Sequence, residues 1–248
     1  MLAFFTKELR EGIATYKSLL LLSIFIGFGI MSPLTAKLMP TILSSVTTPA
    51  IAAQFGEPTA IDAWLQFFKN VPQLGLVLFL LTMSTTVSKE KPYLPILLTQ
   101  GLTRPQLLNA KALYLTALWT LCYSISASIT YGYTLYYWDM SVVHHLLPAL
   151  IGVYAFGVFF ILLVLAGNAL GGTTASGLVT AVITLVVLVL FQTFYPSKYN
   201  PLHVMSGLDA HLAGASLQIY PALAAMLAVL LFVYPLSLLQ YNKKETGT

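Results

Sequence analysis

Six apolar runs, each close to the ~20 residues needed to cross the hydrocarbon core of a bilayer, constrain this chain more than any other feature. They cover roughly residues 18–36, 71–88, 112–137, 146–167, 175–195 and 218–240. Hydrocarbon offers no water to a bare backbone, so each run must satisfy its own hydrogen bonds as a helix. Composition points the same way: 58% of the 248 residues are hydrophobic, 8% are charged, and the mean hydropathy is +0.83. A soluble domain carries roughly 25% charged residues. The expected fold class is therefore an all-α polytopic membrane protein, one domain over 1–248 with no soluble domain. The first run is not expected to be a cleaved signal. It follows a segment containing Glu8 and Glu11, lacks a clear small-residue cleavage site, and precedes five further runs.

Six spans put both termini on one side. That side holds Lys7, Arg10, Lys17, Lys89, Lys91, Arg104, Lys111, Lys243 and Lys244, against Lys37, Lys69 and Lys198 on the other. Cations collect on the cytoplasmic side of a membrane protein, so both termini, including the tail 241–248, are expected in the cytoplasm. The cations sit at the ends of apolar runs and form no single patch, which argues against nucleic acid as a partner. The lone Cys122 lies in an apolar run and reads as a buried, inert thiol.

Residues 1–17 precede the first span. Leu2, Phe5, Leu9, Ile13 and Tyr16 recur at spacings of three and four, with Lys7, Glu8, Arg10 and Glu11 around the rest of the circumference. Such a helix lies in the plane of the bilayer interface. The segments 37–70 and 196–217 are longer than a minimal helix connection and are expected to fold back on the outer surface, with a short amphipathic helix over Ile61–Phe68. Trp64, Phe67 and Phe68, the Tyr131–Trp138 group, Tyr195, Tyr199, Tyr234 and Tyr241 read as an interfacial aromatic belt. Ser124 with Ser128, and Gly167 with Gly171, are small pairs that permit close helix approach.

The most polar interruption between spans is Ser88–Lys111, SKEKPYLPILLTQGLTRPQLLNAK. Its ends are charged while its centre, with Tyr93, Leu94, Ile96, Leu97 and Leu98, is too apolar for an idle loop. A cytoplasmic segment over 89–111 that docks a partner is the simplest reading. Other chemistry is scarce. No GxxxxGK[ST] phosphate loop occurs, so the chain is not itself a P-loop ATPase, and HExxH, CxxC and GxSxG are absent too. His144 and His145 are adjacent and point about 100° apart on a helix, which makes a poor metal pair. Span interiors carry hydroxyls and amides but almost no ionisable groups, unlike carriers that mark their pathway with buried charge. No energy source is visible in the chain.

These residues resemble the six-span permease subunits of ABC-2-type exporters. The opening FFTKELREGIATYKSLLLLSIF is similar to that family's elbow helix running into its first span. GIMSPLTAKLMPTIL, with Ser32-Pro33-Leu34-Thr35 and Pro40, is similar to the end of that span in the bacterial peptide and antibiotic exporter branch. Glu90, Leu97, Leu98, Arg104 and Lys111 match the loop between spans two and three, where an acid and a Leu-rich stretch lead to an Arg and a Lys. Pro92-Tyr93 stands where the family often has Gly-Thr.

The resemblance implies an elbow helix on Phe5, Leu9, Ile13 and Tyr16, six spans over 18–240, and a coupling helix in the 89–111 loop. It also implies that this helix inserts into a groove of a separate ABC ATPase subunit, present in two copies. Tyr93, Ile96, Leu97 and Leu98 would fill the groove, and Lys89, Glu90 and Arg104 would make charged rim contacts. ATP and Mg would belong to that ATPase, with no cofactor, metal or catalytic residue in this chain. A second permease, identical or paralogous, would complete a pathway for an amphipathic or apolar substrate, a peptide, antibiotic or lipid-like molecule, across the inner (cytoplasmic) membrane. Two other classes stay open: an intramembrane enzyme using His203, Asp209 or His211, and a standalone carrier or channel.

Overall fold

The computed structural model describes residues 2–46, 57–85, 99, 101, 103–216 and 218–243. Among them every regular element is helical. A short helix α1 (Leu2–Ala14) precedes the long α2 (Lys17–Val46). Next come α3 (Ala60–Asn70), a single π turn (Val71–Gly75) and α4 (Leu76–Met83), which together make one continuous rod. The rest are α5 (Arg104–Tyr137), α6 (Leu146–Gly171), α7 (Thr174–Phe194), the five-residue α8 (Leu208–Leu212) and α9 (Tyr220–Lys243). Short 3-10 turns lie at Met140–Val142 and Pro201–Met205. Six of these helices, counting α3–α4 as one, are long and apolar enough to cross a membrane.

The apolar runs place the helices because each is apolar on nearly its whole circumference, which suits burial in protein or lipid. The axial one is α6, packed against α5, α7 and α9. Within its apolar stretch 67% of residues are buried, against 11% for α7 and 17% for α9. Val182, Val186, Phe191, Leu231 and Phe232 therefore face outward from the chain. Water would not tolerate so broad an apolar surface on a monomer, whereas lipid tails cover it without cost.

Several expectations change: α2 runs on to Val46, into the segment expected outside, and α5 begins at Arg104, inside the expected 89–111 loop. The second span begins at Ala60, not near 71, because the Ile61–Phe68 amphipathic helix runs on through the π turn into α4. Its Trp64, Phe67 and Phe68 are at most 3% exposed and belong to the core, not to an outward-facing belt. α3 packs against α2 and α5, where Phe67 meets Tyr123 edge-on at 5.7 Å. Tyr136, Tyr195 and Tyr199 are exposed, as a belt requires.

The close approach on α5 is also on a different face. Ser124 and Ser128 are exposed, while Ser126 and Thr130 are buried against α2. A Cβ on Gly29 would lie 2.8 Å from the Ser126 carbonyl oxygen, so α2 and α5 nearly touch there. Pro33 has no N–H to give the Gly29 carbonyl four residues back, and the Thr130 hydroxyl donates to that carbonyl at 3.1 Å instead. The Gly167 expectation holds: a Cβ there would sit 2.5 Å from Thr180 Oγ1 of α7. A core of Phe25, Phe79, Trp119 and Tyr123 joins α2, α4 and α5, with Trp119 edge-on to Phe25 and Phe79 at 5.5 and 5.4 Å.

Candidate functional site

A cluster of bonded polar side chains lies at the end of the bundle where α1, the start of α5 and the end of α9 meet, here the basal end. The capping box TRPQ sets the start of α5. Thr103 Oγ1 accepts from the Gln106 N–H at 3.4 Å, and the Thr103 N–H donates to Gln106 Oε1 at 3.0 Å. Pro105 suits the first turn. At about 51 Å for 34 residues, α5 exceeds the ~30 Å hydrocarbon core, so it must tilt or extend beyond that core.

Four residues in the first turns of α5 reach three other helices. Lys111 Nζ lies 3.0 Å from Glu8 Oε1, and both side chains are 4% exposed. This buried pair fastens α1 to α5. Tyr114 shares a 2.9 Å hydrogen bond with Ser18 of α2. Asn109 Oδ1 accepts from the Tyr234 hydroxyl of α9 at 2.8 Å. Arg104 Nη1 donates to the Tyr241 carbonyl at 3.0 Å, with its guanidinium 5.5 Å from the Tyr241 ring.

The end of α4 is held in the same layer. Lys17 Nζ donates to Thr85 Oγ1 at 2.9 Å. Asn168, 2% exposed near the end of α6, donates from Nδ2 to the Ser84 carbonyl at 3.2 Å and accepts the Gly177 N–H of α7 at 2.9 Å. A Cβ on Gly177 would be 2.1 Å from Asn168 Oδ1, so the α6–α7 crossing requires glycine there. Polar contacts thus tie α1 and all six spanning helices into one basal layer. Ser84 and Thr85 after α4 and the first turns of α5 both belong to it.

Lys89, Glu90, Tyr93, Ile96, Leu97 and Leu98, expected to form a docking surface, lie outside the described residues. Arg104, expected at the rim of that surface, is 7% exposed and turned onto α9. Gly101 has φ +83°, in the left-handed region that favours glycine. On α1, Leu9 and Ile13 are 42% and 49% exposed, while Glu8 and Gly12 face the bundle. Phe5, Leu9 and Ile13 line one side of an apolar groove of 390 Å³ whose other walls are Leu22 of α2 and Leu118 of α5. Tyr16 lies beyond α1, at the α1–α2 corner, with φ +58° and 73% exposure.

At the opposite, distal end, Pro201–Met205 and α8 form a cap on α6, with Val204 and Leu212 fully buried. His203 is half-buried, Asp209 is exposed, and His211 is buried with Nδ1 3.0 Å from the Ala215 carbonyl. No group of three His, Cys, Asp or Glu side chains among the described residues is placed to hold a metal ion.

The fold and these contacts define a multi-pass, all-helical membrane protein with a polar layer at one end. Compared with known proteins, the chain matches no family model, no curated protein and no solved structure. Sequence reasoning flagged Arg104 and Lys111 as charged but not their partners, and it missed Glu8, Asn109 and Asn168 as tie points. An ionisable or amide residue at the edge of an apolar run was the available signal.

Proposed function

We propose that this chain is the transmembrane subunit of an ATP-driven exporter of the ABC-2 type. The observation that carries the reading is the basal layer: the described residues on either side of 86–102, Ser84 and Thr85 after α4 and the first turns of α5, are bonded to α1, α2, α6 and α9. A partner that pushes on that segment would move α4 and α5 together, and Asn168 and Arg104 would pass the displacement to α6, α7 and α9. In this account Tyr93, Ile96, Leu97 and Leu98 seat in an ATPase groove, Lys89 and Glu90 make its charged rim, and α1 is the elbow helix in the cytoplasmic leaflet.

The scarcity of ionisable groups in the span interiors supports the assignment of work to a partner that hydrolyses ATP with Mg, and not to an ion gradient. A second permease subunit, identical or paralogous, completes the pathway. The largely apolar and aromatic span interiors favour an amphipathic or apolar substrate. Co-expression with candidate ABC-type P-loop ATPases tests the reading. Complex formation and stimulated ATP hydrolysis are expected for the wild-type chain, and both are expected to fall in Leu97→Asp and Leu98→Asp. Retention of both in those variants overturns the docking assignment.

A further inference from the structure

Under α1 the fold leaves an apolar groove of 390 Å³, walled by α1, α2 and α5. It begins at the basal layer, where Ser18 and Tyr114 share their 2.9 Å hydrogen bond, and both residues line it. α2 and α5 both run away from that layer, so higher residue numbers lie deeper in the bundle. From Tyr114 to Leu121 the groove follows α5 for about 10 Å. Past the hydroxyl pair its walls are Leu22, Leu118 and Leu121. Leu9, Ile13, Leu19 and Leu121 at its rim are 42–51% exposed, so it opens sideways, away from the bundle.

We propose that this groove binds one acyl chain of an anionic glycerophospholipid, with the headgroup held at Arg10. Size points to a chain. A water's share of liquid is roughly 30 Å³ and a methylene is about as large, so 390 Å³ holds on the order of a dozen of them. A helix, about 10 Å across with its side chains, is too wide for the groove, which rules against a second copy of this chain as the occupant. The polarity gradient fits a lipid hanging from the interface, polar at the basal end and apolar below it. One hydroxyl of the Ser18–Tyr114 pair donates to the other, and the accepting hydroxyl keeps its own proton for a further acceptor, such as a glycerol ester carbonyl. Tails in the surrounding bilayer are equally apolar, so burial itself gives no preference. The gain is van der Waals contact that fills a void between three helices.

Charge selects the headgroup. Arg10 sits three positions before Ile13, on the same side of α1, and is exposed. The two acids of α1 are turned elsewhere. Glu8 is buried against Lys111, and Glu11 lines a different pocket with Lys17 and Met83. The groove side of α1 therefore presents a permanent cation and no carboxylate, which matches a phosphodiester of net negative charge. The site rests on the bundle spanning a membrane and not on the exporter reading.

Native mass spectrometry of the full chain in detergent tests it, with dioleoyl phosphatidylglycerol and dioleoyl phosphatidylcholine in equal amounts as the probes. One retained lipid per chain is expected, with phosphatidylglycerol preferred about fivefold, the effect of one cation near an anionic group. Arg10→Gln should keep one lipid but lose the preference. Lys198→Gln, which removes an exposed cation at the distal end, should keep both. Ala117→Trp places an indole in the groove and should abolish retention of either lipid; Leu121→Trp serves if that variant does not fold. A wild-type chain that retains no lipid, or holds both equally, overturns the proposal. So does retention that survives the tryptophan variant, a preference that persists in Arg10→Gln, or one that Lys198→Gln removes as fully.

Discussion

Removing Glu8 or Lys111 singly should be far more damaging than removing both. Their 3.0 Å contact at 4% exposure is worth about 5 kcal/mol of Coulomb energy at an effective dielectric of ~20. Desolvating the two ions takes back most of that, so the pair contributes little net stability over an apolar pair. Breaking one side is different. Glu8→Gln leaves an ammonium buried on α5, and Lys111→Met leaves a carboxylate facing it from α1, each at a cost of about 3–5 kcal/mol. That cost has a ceiling, because α1 can lift off α5 and rehydrate the stranded charge. The rest of its docking is packing on α2 and α5, with Phe5 against the core and Gly12 close to the Tyr114 hydroxyl. The expected signature is therefore local: faster proteolysis and hydrogen exchange over residues 2–14 in each single variant. Loss of melting temperature should accompany it, at about 2–4 °C per kcal/mol for a chain of this size. The double variant should recover most of both readouts. Additive losses in the double variant, or single variants that match wild type, would refute the reasoning.

Three further outcomes follow from the packing. Gly157→Ala drives a methyl to 2.2 Å from Trp119 Cζ2; a destabilisation of about 1–3 kcal/mol is expected in thermal melts and should be relieved by Trp119→Phe in the same chain. Thr130→Val removes the donor to the Gly29 carbonyl at a cost of about 1–3 kcal/mol for the stranded acceptor; in a Pro33→Ala background the restored helix N–H should make the same change nearly neutral. Asn168→Leu strands the Gly177 N–H and the Ser84 carbonyl together. Faster hydrogen exchange at 172–177 and 81–85 should report that loss, and unchanged exchange there would remove Asn168 from the basal layer.

The six spans were legible because a bilayer demands length and apolarity, and both are local properties of sequence. What helix faces do is not local. Small residues recur on two faces of α5, and only its rotation against α2 chose Ser126 and Thr130 over Ser124 and Ser128. Trp64, Phe67 and Phe68 looked interfacial because they precede the apolar run expected to start near 71; packing of α3 on α2 and α5 buries them instead. The basal layer was half visible. Arg104 and Lys111 stood out as cations at a span edge, but Glu8 lies 103 positions from Lys111 and Tyr241 lies 137 from Arg104. No sequence pattern at that separation names a partner. Pro33 was read as a family likeness, whereas its physical role is to free the carbonyl that Thr130 bonds.

The central claim is that motion enters through the 86–102 segment and spreads through the basal layer. The most direct measurement is ATP hydrolysis by a co-purified P-loop ATPase in nanodiscs, with wild-type chain, Leu97→Asp and the Glu8→Gln single variant compared. The account predicts stimulated hydrolysis with wild type, loss of both binding and stimulation with Leu97→Asp, and retained binding with weakened stimulation with Glu8→Gln. An ATPase that neither binds nor responds to the wild-type chain, or that responds equally to all three, would contradict it.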